Sequence, residues 1–213
     1  YAYAVADYVL LDAGSALGFG VGPLLICKKP ELKTQLAATV TPQSLANSDL
    51  SVGIPGRYTT ANFLLGLAFP QLGNKREMLF SDIEQALLRE EIDLGLIIHE
   101  NRFTYQEKGL HKVADLGDYW EKRTGGPIPL GGIVVQRQLS ETVKHKLNRV
   151  LRKSVEYALA NPRSGIDFIR SHAQEMDESV MYQHIDLYVN RYSVSLEADG
   201  RRAITRLFKE AEQ

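Results

Sequence analysis

An α/β fold follows from three features of the sequence. Between Asp49 and His99, short apolar runs alternate with helix-forming stretches, giving strand, turn and helix in repeated order. The connections between those strands are long enough to cross over a sheet, which suits parallel pairing. Beyond Gln136 the pattern becomes wholly helical.

In chain order, Tyr1 to Val9 (YAYAVADYV) is apolar with small residues and reads as one short helix, with a strand starting at Leu10-Leu11. Glycines at 14, 18, 20 and 22 then lead to Pro23, and Leu24 to Cys27 reads as a buried strand. Asp49 to Ile54 is a second strand, ended by Pro55-Gly56. Thr59 or Thr60 then caps a helix that stops before Pro70. Lys75 to Phe80 is strand-like. Ser81-Asp82-Ile83-Glu84 has the capping-box pattern, opening a helix to about Glu91. Leu94 to Ile98 is a compact apolar strand that delivers His99 and Glu100 at its C-terminal end. Ile128 to Val135 is another strand. Val143, Leu147, Val150, Leu151, Val155 and Ala158 then mark one helical apolar stripe. Asn161-Pro162 stops that helix and starts the next, with proline at its first position. Two further helices are expected over about 178–190 and 198–212.

Composition narrows the function. The chain has 213 residues, with 25 basic and 26 acidic side chains, so no basic face for nucleic acid is indicated. No apolar run approaches the roughly 18–20 residues of a membrane helix. The single cysteine, Cys27, cannot form an internal disulfide or a thiolate metal site, and it fits a buried core thiol in a reducing compartment. No HExxH pattern and no other clustered ligand spacing predicts a metal.

The motifs divide by chemistry. Gly18-Phe-Gly-Val-Gly22 is no dinucleotide fingerprint, because Pro23 and a strand follow where a third glycine and a helix belong. It reads as a tight strand-entry loop, with Gly20 able to border a ligand. Gly56-Arg57-Tyr58-Thr59-Thr60 leads from a strand into a helix start with two adjacent hydroxyls. Such a start offers free N–H groups and a positive dipole end to a carboxylate or phosphate. The alternative is that the threonines only cap the helix. His99 at a strand tip is either a buried, satisfied histidine or a general base facing a cleft, its ordinary pKa near 6.5 suiting proton abstraction. Arg57, Arg102 and Tyr105 could line the same cleft. His111, His145, His172 and His184 lie in a polar loop or on expected helices.

These strings resemble one family. Gly14 to Leu24 (GSALGFGVGPL), Ile54 to Thr60 (IPGRYTT), Gly95 to Tyr105 (GLIIHENRFTY) and Pro127 to Gly131 (PIPLG) are similar to the 1,4-dihydroxy-6-naphthoate synthases of the futalosine route to menaquinone. So is the stretch Ser154 to Ala160 (SVEYALA) in the helical tail. The resemblance implies a two-lobed fold like type II periplasmic binding proteins, with a ligand cleft between the lobes. One lobe would comprise 28–131, and the other 1–27 with 132–213. It also implies a cytoplasmic lyase that needs no cofactor and splits cyclic dehypoxanthine futalosine to 1,4-dihydroxy-6-naphthoate and a sugar-derived fragment. Thr59 and Thr60 would bind substrate, and His99 would accept the proton.

Family members carry an upstream Ser-Pro-Cys-Pro-Asn-Asp-Thr-Phe segment and then a substrate-binding Lys-Leu/Val-Ser triplet. This chain opens just after the place of that triplet, so the first strands of one lobe and part of the pocket are expected in sequence preceding Tyr1. Two other activities suit the same fold: solute binding without catalysis, and chorismate dehydration in the same pathway.

Overall fold

The computed structural model describes residues 6–38, 49–98, 101–172 and 177–212. The chain forms two compact units, Tyr1–Val21 with Gly126–Gln213, and Gly22–Gly125. The boundaries expected from the sequence fall after residues 27 and 131. The difference has a physical cause: Leu24–Cys27 pairs on both sides inside the sheet of the second unit, and Ile128–Gly131 pairs with Ala16–Gly18 in the first.

The first unit opens with strands β1 (Tyr8–Leu10) and β2 (Ala16–Gly18). The expected helix over 1–9 is therefore corrected where it is described, and residues 1–5 lie outside the described residues. Tyr8 and Val9 are good strand formers, and their backbone finds partners in a ladder far along the chain.

The second unit follows in sequence, with β3 (Leu24–Cys27), α1 (Pro30–Ala38), β4 (Val52–Ile54), α2 (Thr60–Ala68) and β5 (Lys75–Glu77). It continues with α3 (Ile83–Leu88), β6 (Leu94–Ile97), α4 (Asn101–Thr104), a 3-10 turn (Tyr105–Lys108), β7 (His111–Asp115) and α5 (Leu116–Thr124). Its five strands lie in the order β5-β4-β6-β3-β7. β4 runs parallel to β5 and β6, as the crossover lengths predict, whereas β3 is antiparallel to both β6 and β7. Every residue of β3, β4 and β6 is buried, which matches their continuous apolar character. Leu24, Ile26 and Ile97 of the sheet pack with Ile83, Ala86 and Leu87 of α3 in one core.

The expected capping box at Ser81–Glu84 does not form. Asp82 sits at the N-cap with helical dihedrals and no side-chain cap bond, and Ser81 donates to Asp82 instead. Glu84 turns away to an ion pair with Lys108 at 2.5 Å, so a tertiary partner wins over the local one. His111, expected in a loop, opens β7.

The chain returns to the first unit as β8 (Ile128–Gly131) and β9 (Val134–Gln136), then α6 (Glu141–Ala160), α7 (Ile166–His172), α8 (Glu178–Tyr188), α9 (Arg191–Val194) and α10 (Glu197–Ala211). The single strand expected over 128–135 is two, broken at Gly132-Ile133: β8 pairs with β2 and β9 with β1. Pro162 is not the first residue of a helix. It pushes Asn161 out of the helical region (φ −133°, ψ 65°), and turns carry the chain to α7 at Ile166. Asp12 ties the unit together. Its carboxylate accepts from Arg152 at 2.7 Å, Ser195 at 2.9 Å and Arg201, while Asn148 of α6 accepts from the Asp12 and Ala13 amides. α6 holds to the unit through this polar face and Leu151, while Val143, Leu147 and Val150 of its apolar stripe stay exposed.

Candidate active site

Strand direction gathers several chain ends at one edge of the five-stranded sheet. β4 and β6 are parallel neighbours, with Val52 beside Leu94 and Gly53 beside Gly95, so both point their C-terminal ends the same way. Leu24 pairs with Ile97 and with Asp115, which brings the start of β3 and the end of β7 to that edge as well. In open α/β sheets, ligands gather beyond the strands' carboxyl ends.

The loop from β4 into α2 is built to hold a helix start. Gly56 has φ +155°, a conformation that favours glycine. Thr59 is the N-cap, with extended dihedrals. Its hydroxyl donates to the Gly56 carbonyl at 2.7 Å and accepts from the Asn62 amide at 3.2 Å. Asn62 Nδ2 donates to the Arg57 carbonyl at 2.8 Å, and the Arg57 amide donates to Glu77 at 2.9 Å. Thr60, half-buried, begins the helix. Its hydroxyl and the amides of Thr60 and Ala61 have no acceptor among the described residues. Free donors at the positive end of a helix dipole can take an anion with little reorganisation.

The other sequence candidates fall in different settings. The Arg57 side chain is exposed beside Glu77, at 3.5 Å. Arg102 is engaged in the fold: its Nη1 donates to the Gly22 carbonyl at 2.7 Å and its Nη2 faces Asp115 at 3.6 Å. Tyr105 is 5% exposed within the core around Leu24 and Ile97, with Gln106 donating to its hydroxyl. Gly20 is exposed, with φ +69°. His99 and Glu100 lie outside the described residues; β6 ends at Ile97 on the shared edge. Among the described residues, no group of three or more His, Cys, Asp or Glu could hold a metal. No described helix is long and apolar enough to cross a membrane.

The family model for menaquinone biosynthesis matches residues 1–213. The chain belongs to this family. It is 43% identical over 212 residues to a Thermus thermophilus protein named 1,4-dihydroxy-6-naphthoate synthase, covering 100% of this chain and 73% of that relative. A Streptomyces coelicolor protein of the same name is 38% identical over 217 residues, covering 98% of this chain and 71% of the relative. Among solved structures, an Archaeoglobus fulgidus protein superposes with a TM-score of 0.86 at 33% identity, over 99% of this chain and 76% of that one. The periplasmic aliphatic sulphonate binding protein of Escherichia coli reaches a TM-score of 0.61 at 13% identity, over 98% of this chain and 64% of that one. That likeness speaks for the fold alone: this member of the menaquinone family has the binding-protein-like α/β architecture that its sequence strings imply.

Two residues at the edge escaped sequence reading. Asn62 stands three residues after the Thr59 cap, where a side chain can reach back over the loop. Asp115 caps α5 through the amides of Gly117 and Asp118 at 2.9 and 3.1 Å. An aspartate before a helix with Gly125 closing it was signal enough to place that element.

Proposed function

We propose that this chain is a cytoplasmic lyase of menaquinone biosynthesis that converts cyclic dehypoxanthine futalosine to 1,4-dihydroxy-6-naphthoate. One observation carries the site reading: the hydroxyl-bearing start of α2 and the chain leaving β6 toward His99 share one edge of one sheet. The family and the names of its two relatives supply the reaction.

The chemistry follows from the groups at that edge. The substrate's aromatic carboxylate lies against the α2 start, where the Thr60 hydroxyl and two free amides donate to it and the helix dipole adds about 0.3–1 kcal/mol. His99 removes a proton and starts the carbon–carbon cleavage that releases the aromatic product and a sugar-derived fragment.

Incubation of the intact protein with cyclic dehypoxanthine futalosine should release 1,4-dihydroxy-6-naphthoate without added cofactor, and chorismate should remain unchanged. Dehydration of chorismate would overturn the reading in favour of the sister activity. Tight binding without turnover would make the chain a solute receptor.

A further inference from the structure

The two adjacent threonines do not have equivalent hydrogen-bond capacity. A carboxylate only accepts, so a hydroxyl can bind it only with its single proton. The proton of Thr59 is already committed to the Gly56 carbonyl at 2.7 Å, and its oxygen receives the Asn62 amide at 3.2 Å. The Thr60 proton has no such acceptor among the described residues. Asn62 closes the same loop from the other side, its Nδ2 on the Arg57 carbonyl at 2.8 Å. Its Oδ1 is enclosed and without a hydrogen-bond partner. An enclosed, unpaired amide oxygen is costly, and it is out of reach of a ligand, so the useful end of this side chain is the Nδ2 that clasps the loop.

We infer that Thr59 and Asn62 are positioning residues that lock the loop of residues 56–60, so that Thr60 alone of the threonine pair touches the substrate carboxylate. The inference rests on the reading of the α2 start as the carboxylate site. It divides the labour within that site. A cap needs an accepting side-chain oxygen, which Thr, Ser, Asn and Asp all supply, whereas an anion needs a proton donated from the position the hydroxyl occupies, and that contrast separates the two roles.

The test is steady-state turnover of cyclic dehypoxanthine futalosine by variants of the intact protein, with melting followed in parallel. Thr59→Val should raise KM about tenfold, the scale of the Thr60–carboxylate hydrogen bond that an unlocked loop misplaces. Thr59→Asn, which caps but places no hydroxyl there, should recover most of that loss. Asn62→Asp keeps the shape and removes the donor; it should reproduce the Thr59→Val rise in KM, and the two changes together should cost less than their product. Thr60→Val should raise KM with little change in melting.

If Thr59→Asn is as impaired as Thr59→Val while Thr60→Val also raises KM, Thr59 is a direct ligand and the inference falls while the site reading stands. If Thr59→Val and Asn62→Asp lower the melting temperature but leave KM unchanged, the loop is merely structural and the inference again falls. An unchanged KM for Thr60→Val shows that the Thr60 hydroxyl does not bind the carboxylate, and the inference falls while the backbone amides of the site reading stand.

Discussion

Gly22 and Gly117 meet backbone against backbone: a Cβ on Gly22 would stand 2.2 Å from the Cα and amide nitrogen of Gly117. The approach to β3 and the first turn of α5 therefore touch with no side chain between them. Neither backbone can give way as a flexible side chain could. Gly22→Ala and Gly117→Ala should each destabilise the second unit by about 1–3 kcal/mol or more, measured by chemical denaturation. A loss under ~0.5 kcal/mol in both would mean that the two segments can separate.

Arg102 closes the same junction from α4. It joins the Gly22 carbonyl to Asp115, and Asp115 in turn caps α5. Asp115→Ala should cost about 1–3 kcal/mol, because it removes a cap and leaves a largely buried guanidinium without its carboxylate. Asp115→Asn retains the capping oxygen and should cost clearly less. Equal losses in the two variants, read from denaturation midpoints, would assign the whole effect to the ion pair.

Burial lowers the pKa of Lys75, at the start of edge strand β5, below the ordinary lysine value. The sign is set by linkage: the unfolded chain holds this proton more tightly than the fold does. The penalty is thus fully present below the folded pKa and fades as pH rises from there toward the ordinary value. Lys75→Met should be more stable than the parent at pH 7, with the gap narrowing as pH rises. A gap that stays constant or widens between pH 7 and pH 10 would contradict this.

Burial also pushes the Cys27 thiol above its ordinary pKa, and its Sγ donates to the Lys29 carbonyl at 3.2 Å. Little thiolate exists at neutral pH, and reagents cannot reach it. Labelling of the native protein with a thiol reagent should be slow and track the opening of the fold, becoming immediate in denaturant. Rapid stoichiometric labelling without unfolding would show an accessible sulfur.

Sequence reading succeeded where one local interaction decides the structure. The cap at Thr59, one of the two adjacent candidates, and the long helix from Glu141 depend on neighbours a few residues away, and the apolar runs at Leu24–Cys27 and Leu94–Ile97 carry their strand character in their own side chains. It erred where a distant partner decides. Glu84 carries a capping pattern, yet Lys108 claims its carboxylate. Ile128 to Val135 is one apolar run, yet its halves pair with different strands more than 100 residues earlier. At the candidate site, Thr59 and Thr60 look identical as letters. Only the positions of the Gly56 carbonyl and the Asn62 amide show that one hydroxyl is engaged.

The role of His99 as the base is tested most directly by single-turnover conversion of cyclic dehypoxanthine futalosine by the intact protein and by its His99→Ala variant at saturating substrate. The variant should be slower by about 10²–10⁴, with substrate affinity and melting temperature close to those of the parent. A variant that forms 1,4-dihydroxy-6-naphthoate at near-parental rate would show that the proton leaves by another group.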